Sequence, residues 1–251
     1  MKRITKGQVF AWVLALVPLI LAAAVYSRLP DRIPMQWDFS GEVGYEPKWH
    51  LWIVAGLSPL LAVLFYVLPN LDPKKRNYDK FFGSYVGFQI MMMLFMIVMN
   101  GICVVEGLRP GTLNIPMVVC LIVSLVIAYV GNIMPKFRMN WNCGIKNPWT
   151  LSSEIVWIRT HRLGGRLFFA AGVIGLLGAF IPSNAARFVL LFVPVMAAAI
   201  VPTVMRATCG SARSREGNCT LMGGNRTAVR TAAARHGGVP VWAVRYIWEM
   251  G

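Results

Sequence analysis

Charge is scarce in this chain. Only 14% of its 251 residues are Asp, Glu, Lys or Arg, against roughly 25% in soluble domains, which excludes water as its main solvent. Acids are scarcer than bases, and the resulting formal charge of +15 needs no nucleic acid to explain it if the bases flank membrane spans. The five cysteines, at 103, 120, 143, 209 and 219, form no C-x-x-C pair, and none of the three histidines stands at ligand spacing. Neither a disulfide framework nor a metal site is expected. H-E-x-x-H, P-loop, Ser/Lys and paired intramembrane Asp patterns are also missing, so the familiar membrane-hydrolase chemistries lack their parts and no enzyme activity or cofactor is expected.

What the chain does have is oil. It is 57% hydrophobic, in blocks near the roughly 20 residues that cross a bilayer. Spans are expected at about 8–27, 50–69, 85–106, 114–135, 166–183 and 186–205. The first is longer than a signal-peptide core and is followed by five more, so it reads as retained. Lys2, Arg3 and Lys6, then Lys74, Lys75, Arg76 and Lys80, then Lys136, Arg138, Lys146, Arg159, Arg162 and Arg166 place the N-terminus and two loops on the cytoplasmic side. The fold expected is all-α and polytopic, with about six transmembrane helices and both termini cytoplasmic. From Arg206 to Gly251 the texture changes to Arg, Thr, Ala and Gly. That stretch cannot bury a core; it reads as a basic disordered tail, an arm for anionic lipid, or a frame-shifted or mis-called ending. The division expected is therefore 1–69, 70–205 and 206–251.

Polar groups within spans are few. Asn100 and Asn132 stand out, and Glu106 falls at the outer interface in a structural role. They would be the only hint of the polar path that a small-molecule or amphiphile transporter, the alternative reading, requires. His50 and His161 fall on opposite faces, so joint chemistry by them is not expected.

Two loops carry more information. In the first outer loop, Pro30 and Pro34 stiffen the exit from the first span, Asp38, Ser40 and Gly41 read as a turn, and Trp37, Trp49 and Trp52 suit an interfacial belt. Such a loop is a ligand-recognition element or a plain connection. In GIKNPWTLSSEIVWIRTHRLGG, from Gly144 to Gly165, Pro148 holds Asn147 extended, and Thr150, Ser152 or Ser153 can cap a helix starting near Glu154. Arg159 and Arg162 are expected in its last turn, with Gly164 and Gly165 ending it. Ile155, Trp157 and Ile158 would form an apolar side, while Arg159, His161 and Arg162 would meet headgroups on the inner leaflet.

The run GNIMPKFRMNWNCGIKNPWTLSSEIVWIRTHRLGGRLFF, from Gly131 to Phe169, resembles the signature of the SdpI family of bacterial membrane proteins. The segment from Leu29 to Trp49 resembles the small domain of unknown function that often precedes it. Lys146 stands where Arg is usual, Asn147 where Thr is usual and Gln36 where His is usual, and the outer loop is one residue short after Gly41.

The resemblance implies a multi-pass protein of the bacterial cytoplasmic (inner) membrane that confers immunity to a secreted antimicrobial peptide and holds a transcriptional repressor at the bilayer. Carried over by position, the signature residues are Gly131, Asn132, Pro135, Lys136, Asn140, Gly144, Ile145, Lys146, Pro148, Trp149, Thr150, Leu151, Trp157, Thr160, His161, Arg162 and Gly165. They are expected to form a cytoplasmic recognition element, and Pro34, Asp38, Gly41 and Lys48 a second one in the outer loop. The partners implied are the lipid bilayer, the peptide and the repressor.

Overall fold

A computed structural model describes residues 4–38 and 42–215, with side chains described as far as Val204. In chain order it contains α1 (Lys6–Val25), β1 (Arg32–Trp37), β2 (Val43–Pro47), α2 (His50–Leu71), α3 (Phe82–Leu108), α4 (Ile115–Ile133), α5 (Pro148–Ser152), α6 (Glu154–Gly178) and α7 (Asn184–Arg215). Among the described residues the fold is all-α and polytopic apart from one hairpin. Five helical segments, Lys6–Arg28, His50–Leu71, Phe82–Leu108, Ile115–Lys136 and Asn184–Val204, are long and apolar enough to cross a membrane. Helix α6 is the sixth long helix, but Arg159, Arg162 and Arg166 occupy its first half and leave its apolar stretch short.

The helices are packed with small residues inward and large ones outward. On α1, Ala11, Ala15, Pro18 and Ala22 are buried, and on α2 Leu51, Ala55, Ser58 and Ala62 repeat the same four-three-four spacing. Val13, Leu16 and Ile20 of α1 and Ile53, Leu60 and Val63 of α2 face outward. This is the pattern of helices solvated by lipid, where association comes from close backbone approach rather than from burying large apolar side chains. Met93 of α3 fills the seam that Ala11, Ala15 and Ala62 leave open.

Helices α4 and α6 approach more closely still. A Cβ on Gly131 would lie 2.2 Å from the Phe169 nitrogen, one on Gly165 would lie 2.8 Å from the Gly131 oxygen, and one on Gly172 would lie 2.4 Å from the Ala128 nitrogen. This contact corrects one expectation. Gly164 and Gly165 do not end a helix, because α6 runs through them to Gly178. A glycine stop adopts positive φ, and among the described residues only Gly111 and Gly144 do. Gly164 and Gly165 are contact surface instead.

The first outer loop holds more regular structure than the turn expected at Asp38, Ser40 and Gly41. Its residues form an antiparallel hairpin in which Arg32 pairs with Pro47, Pro34 with Tyr45 and Trp37 with Val43. Ile33 anchors it in a cluster with Leu29, Leu51, Ala55, Cys103 and Val104. Gly41, together with Ser40, lies outside the described residues. So does the part of the expected tail, 206–251, that follows Arg215; its residues 206–215 continue α7.

Candidate functional site

The chain gathers polar side chains at two ends: the hairpin end, and the end formed by residues 72–80 and 134–153, called the loop end below. At the loop end the hub is Asp72, which follows α2 and is 3% exposed. Its Oδ2 accepts from the Trp141 amide at 2.8 Å, the Tyr78 hydroxyl at 3.1 Å and Asn142 Nδ2 at 3.3 Å, and its Oδ1 accepts from the Lys74 amide at 2.8 Å. Asn140 is a second hub. Its Oδ1 accepts from the amides of Asn142 and Cys143, at 2.9 and 2.6 Å, while its Nδ2 donates to the Arg138 carbonyl. Asn77 Nδ2 donates to the Met139 carbonyl and Asn142 Nδ2 to that of Leu68. Burial pushes the Tyr78 phenol well above its ordinary pKa, so it remains a neutral donor.

The signature segment locks onto this base. Asn147 and Thr150 form a reciprocal capping box at 2.8 and 2.9 Å that starts α5, and the Thr150 hydroxyl also donates to the Ile145 carbonyl at 3.1 Å. Ser153 caps α6 by accepting from the Val156 amide. One turn further, Trp157 Nε1 donates to the Phe137 carbonyl at 2.9 Å, and His161 stacks on the indole with centroids 4.0 Å apart.

Both His161 nitrogens are engaged: Nε2 accepts from the Ile145 amide at 3.1 Å, and Nδ1 lies 2.8 Å from the Trp157 carbonyl. The first bond requires an unprotonated Nε2 and the second a protonated Nδ1, which selects one neutral tautomer. Burial lowers this imidazole's pKa to about 4, against the favourable effect of the Trp157 carbonyl. Gly144 permits the arrangement. Its φ is +107°, and a Cβ there would sit 2.2 Å from His161 Nε2.

His161, 0% exposed, therefore does not meet headgroups, contrary to expectation, while Trp157, also 0% exposed, keeps the apolar side expected of it. The physical reason is that α6 stands against α4 rather than lying on a leaflet. Asn140, Thr150, Thr160 and Gly165 are buried with them, whereas Asn132, Pro135, Lys136, Gly144, Lys146, Pro148, Trp149 and Arg162 are exposed and Ile145 is half-buried. Lys146 Nζ donates to the carbonyls of Trp141 and Asn142.

Sequence reading missed Asp72, Tyr78 and Asn142. A signal for Asp72 was available: an acid at a helix C-terminus is disfavoured by the dipole, and here it opens a run of bases, so it needed a compensating set of donors. Cys143 offers no nucleophile, because burial raises its thiol to about 11. Among the described residues no group of three or more His, Cys, Asp or Glu converges as a metal site would.

At the hairpin end, Asp38 Oδ1 accepts from the Glu42 amide at 2.8 Å, closing the hairpin tip. Lys48 ties its base, with an ion pair to Asp31 at 3.1 Å and the Tyr26 ring 5.4 Å below. Pro34 is buried in β1. Glu106, 3% exposed, accepts from the amides of Gly111 and Leu113, both at 2.7 Å, and from the Thr112 hydroxyl. It thereby holds the α3–α4 turn and keeps the structural role expected of it. Hairpin and turns enclose a cleft of about 390 Å³. Asn100 is buried toward the hairpin end of α3, whereas Asn132 is exposed in the last turn of α4 at the loop end. They do not share a path.

Residues 136–206 match the SdpI/YfhL protein family, and residues 13–58 match a domain of unknown function, DUF1648. The chain is 22% identical over 170 residues to "Immunity protein SdpI" of Bacillus subtilis (strain 168), covering 67% of this chain and 79% of that relative. No solved structure matches. The resemblance drawn from the signature and the outer loop thus holds, and the chain is a homologous multi-pass membrane protein.

Proposed function

We propose that this chain, whose second half carries the SdpI-family segment, is an immunity protein of the bacterial cytoplasmic membrane that protects against a membrane-active antimicrobial peptide. The observation that carries the reading is the likeness to a protein named for immunity, which extends over two thirds of the chain, alongside the family matches at residues 136–206 and 13–58. Geometry favours binding over chemistry. The one histidine in the signature has both ring nitrogens committed to the backbone, so it has no lone pair to offer as a general base.

In this reading the hairpin end faces outward and meets the peptide, while the loop end faces the cytoplasm. The buried signature residues form the framework there, and exposed Lys136, Lys146, Trp149 and Arg162 form the face that would hold a cytoplasmic repressor. Expression of the chain in a peptide-sensitive host is expected to raise survival, and Trp149→Ala or Arg162→Ala to weaken the protection. Unchanged sensitivity with the protein confirmed in the membrane would overturn the proposal. Transport is the competing reading, and substrate flux in proteoliposomes that collapses in Asn132→Leu would favour it instead.

A further inference from the structure

The cleft at the hairpin end contains a cation with no counter-ion. Arg187, in the first turn of α7, is 6% exposed. Its Nε donates to the Ala179 carbonyl at 3.0 Å, and its Nη1 donates to Asn184 Oδ1 at 2.8 Å and Asn114 Oδ1 at 3.2 Å. All three acceptors are neutral, and Nη2 has no partner among the described residues. The two acids that line the same cleft do not pair with it. Glu106 is committed to Gly111, Thr112 and Leu113, and Asp38 is exposed at the rim, holding Glu42. A buried guanidinium without an anion is costly, so its retention beside a cavity points to an anion supplied from outside.

Two further features agree. The N-termini of α4 and α7 both open on the cleft floor, at Asn114–Ile115 and Asn184, and their dipoles add positive potential there. The opposite wall is an apolar sheet face. An irregularity between Pro34 and Gln36 sets Pro34 opposite Tyr45 and Trp37 opposite Val43. Residues three apart on a regular strand point to opposite faces; the bulge re-aims Trp37 so that it and Pro34 share one.

We propose that this cleft binds the carboxylate terminus of an apolar peptide. Arg187 supplies the counter-charge, and Trp37, Val43 and Tyr45 supply the apolar wall. A lone planar guanidinium matches one planar carboxylate in charge and in fork geometry, and the volume falls in the usual range for ligand pockets. The proposal rests on the immunity reading only for the biological source of the peptide.

The test uses the full chain in phosphatidylcholine nanodiscs and a short fluorescein-labelled peptide of Leu, Ala and Phe, made either with a free C-terminal carboxylate or as its amide. Anisotropy is expected to give about tenfold tighter binding of the acid, the scale of one charge-assisted hydrogen-bonded pair. In Arg187→Gln the acid should bind no better than the amide, while Arg187→Lys should keep part of the difference. Trp37→Ala should weaken both peptides alike.

Equal binding of acid and amide by the unaltered chain would overturn the proposal whether or not any variant folds. Displacement of the acid peptide on changing to phosphatidylglycerol nanodiscs would also overturn it, in favour of a lipid headgroup. Acid selectivity that persists undiminished in a folded Arg187→Gln protein would sink the carboxylate site and leave the immunity reading standing. Acid-selective binding by a chain that gives no protection would do the reverse.

Discussion

At the loop end, Asp72 is an acid surrounded by donors from two chain segments, and each of its oxygens has a partner. At the hairpin end, Arg187 is a base surrounded by neutral oxygens, with one nitrogen still open toward a cavity. Both groups are more than nine-tenths buried. The difference teaches what each end is for. A closed set of hydrogen bonds fixes backbone and leaves nothing for a ligand, whereas an open set beside a cavity is stable enough to persist and incomplete enough to bind.

The comparison can be broken by mutation, beginning with the contact on which the loop end stands. Gly131→Leu would drive a side chain into the backbone of α6 at Phe169, and because backbone cannot yield, the expected outcome is loss of monodisperse protein on size-exclusion chromatography in detergent. Asp72→Ala should be the next most damaging. It orphans several buried donors at once, for about 3 kcal/mol or more, read as a lowered melting temperature.

Acidification strains the same end. The folded pKa of His161 is about 4, below the free value near 6.5, so between these pH values the unfolded chain binds the extra proton. Stability is complete above pH 6.5 and falls as pH drops toward 4, by up to about 3 kcal/mol. His161→Gln should remove that portion of a melting-temperature-versus-pH curve.

Arg187→Gln sharpens the contrast. Its lost hydrogen bonds are offset by removal of an unpaired buried charge, so a destabilisation of less than about 1 kcal/mol is expected, well short of that for Asp72→Ala. Trp149→Ala, at an exposed site, should change stability by no more than about 0.5 kcal/mol while still reporting on partner binding.

How much of this was legible in the sequence divides along the same line. Five of the six expected spans followed from hydropathy, because lipid imposes length and apolarity on each helix separately; the one expected at 166–183 did not, since it is the second half of α6, which starts at Glu154 and carries Arg159, Arg162 and Arg166. The extended Asn147 before Pro148 and the Ser153 cap at Glu154 followed from local rules, whereas the separate turn of α5 that Asn147 starts did not. Gly164 and Gly165 misled, since a glycine that stops a helix and one that admits a neighbouring helix look alike until the neighbour is known. The hairpin escaped notice because its alternation is interrupted by the bulge at Pro34–Gln36. Asp72 and Arg187 escaped for a common reason: each acts with groups dozens of residues away, and no local pattern records that.

The unbroken course of α6 has a mechanical consequence. Its C-terminal Ala179 carbonyl holds the Arg187 side chain, and its N-terminal turns hold Trp157 and His161 against the loop base. From Ala179 back to His161 is roughly 27 Å at 1.5 Å per residue, all one stiff helix with a glycine-lined track along α4 on which to bear. A tug on the guanidinium is therefore a tug on a rod, and its far tip is seated under the Ile145 amide, four residues from Trp149.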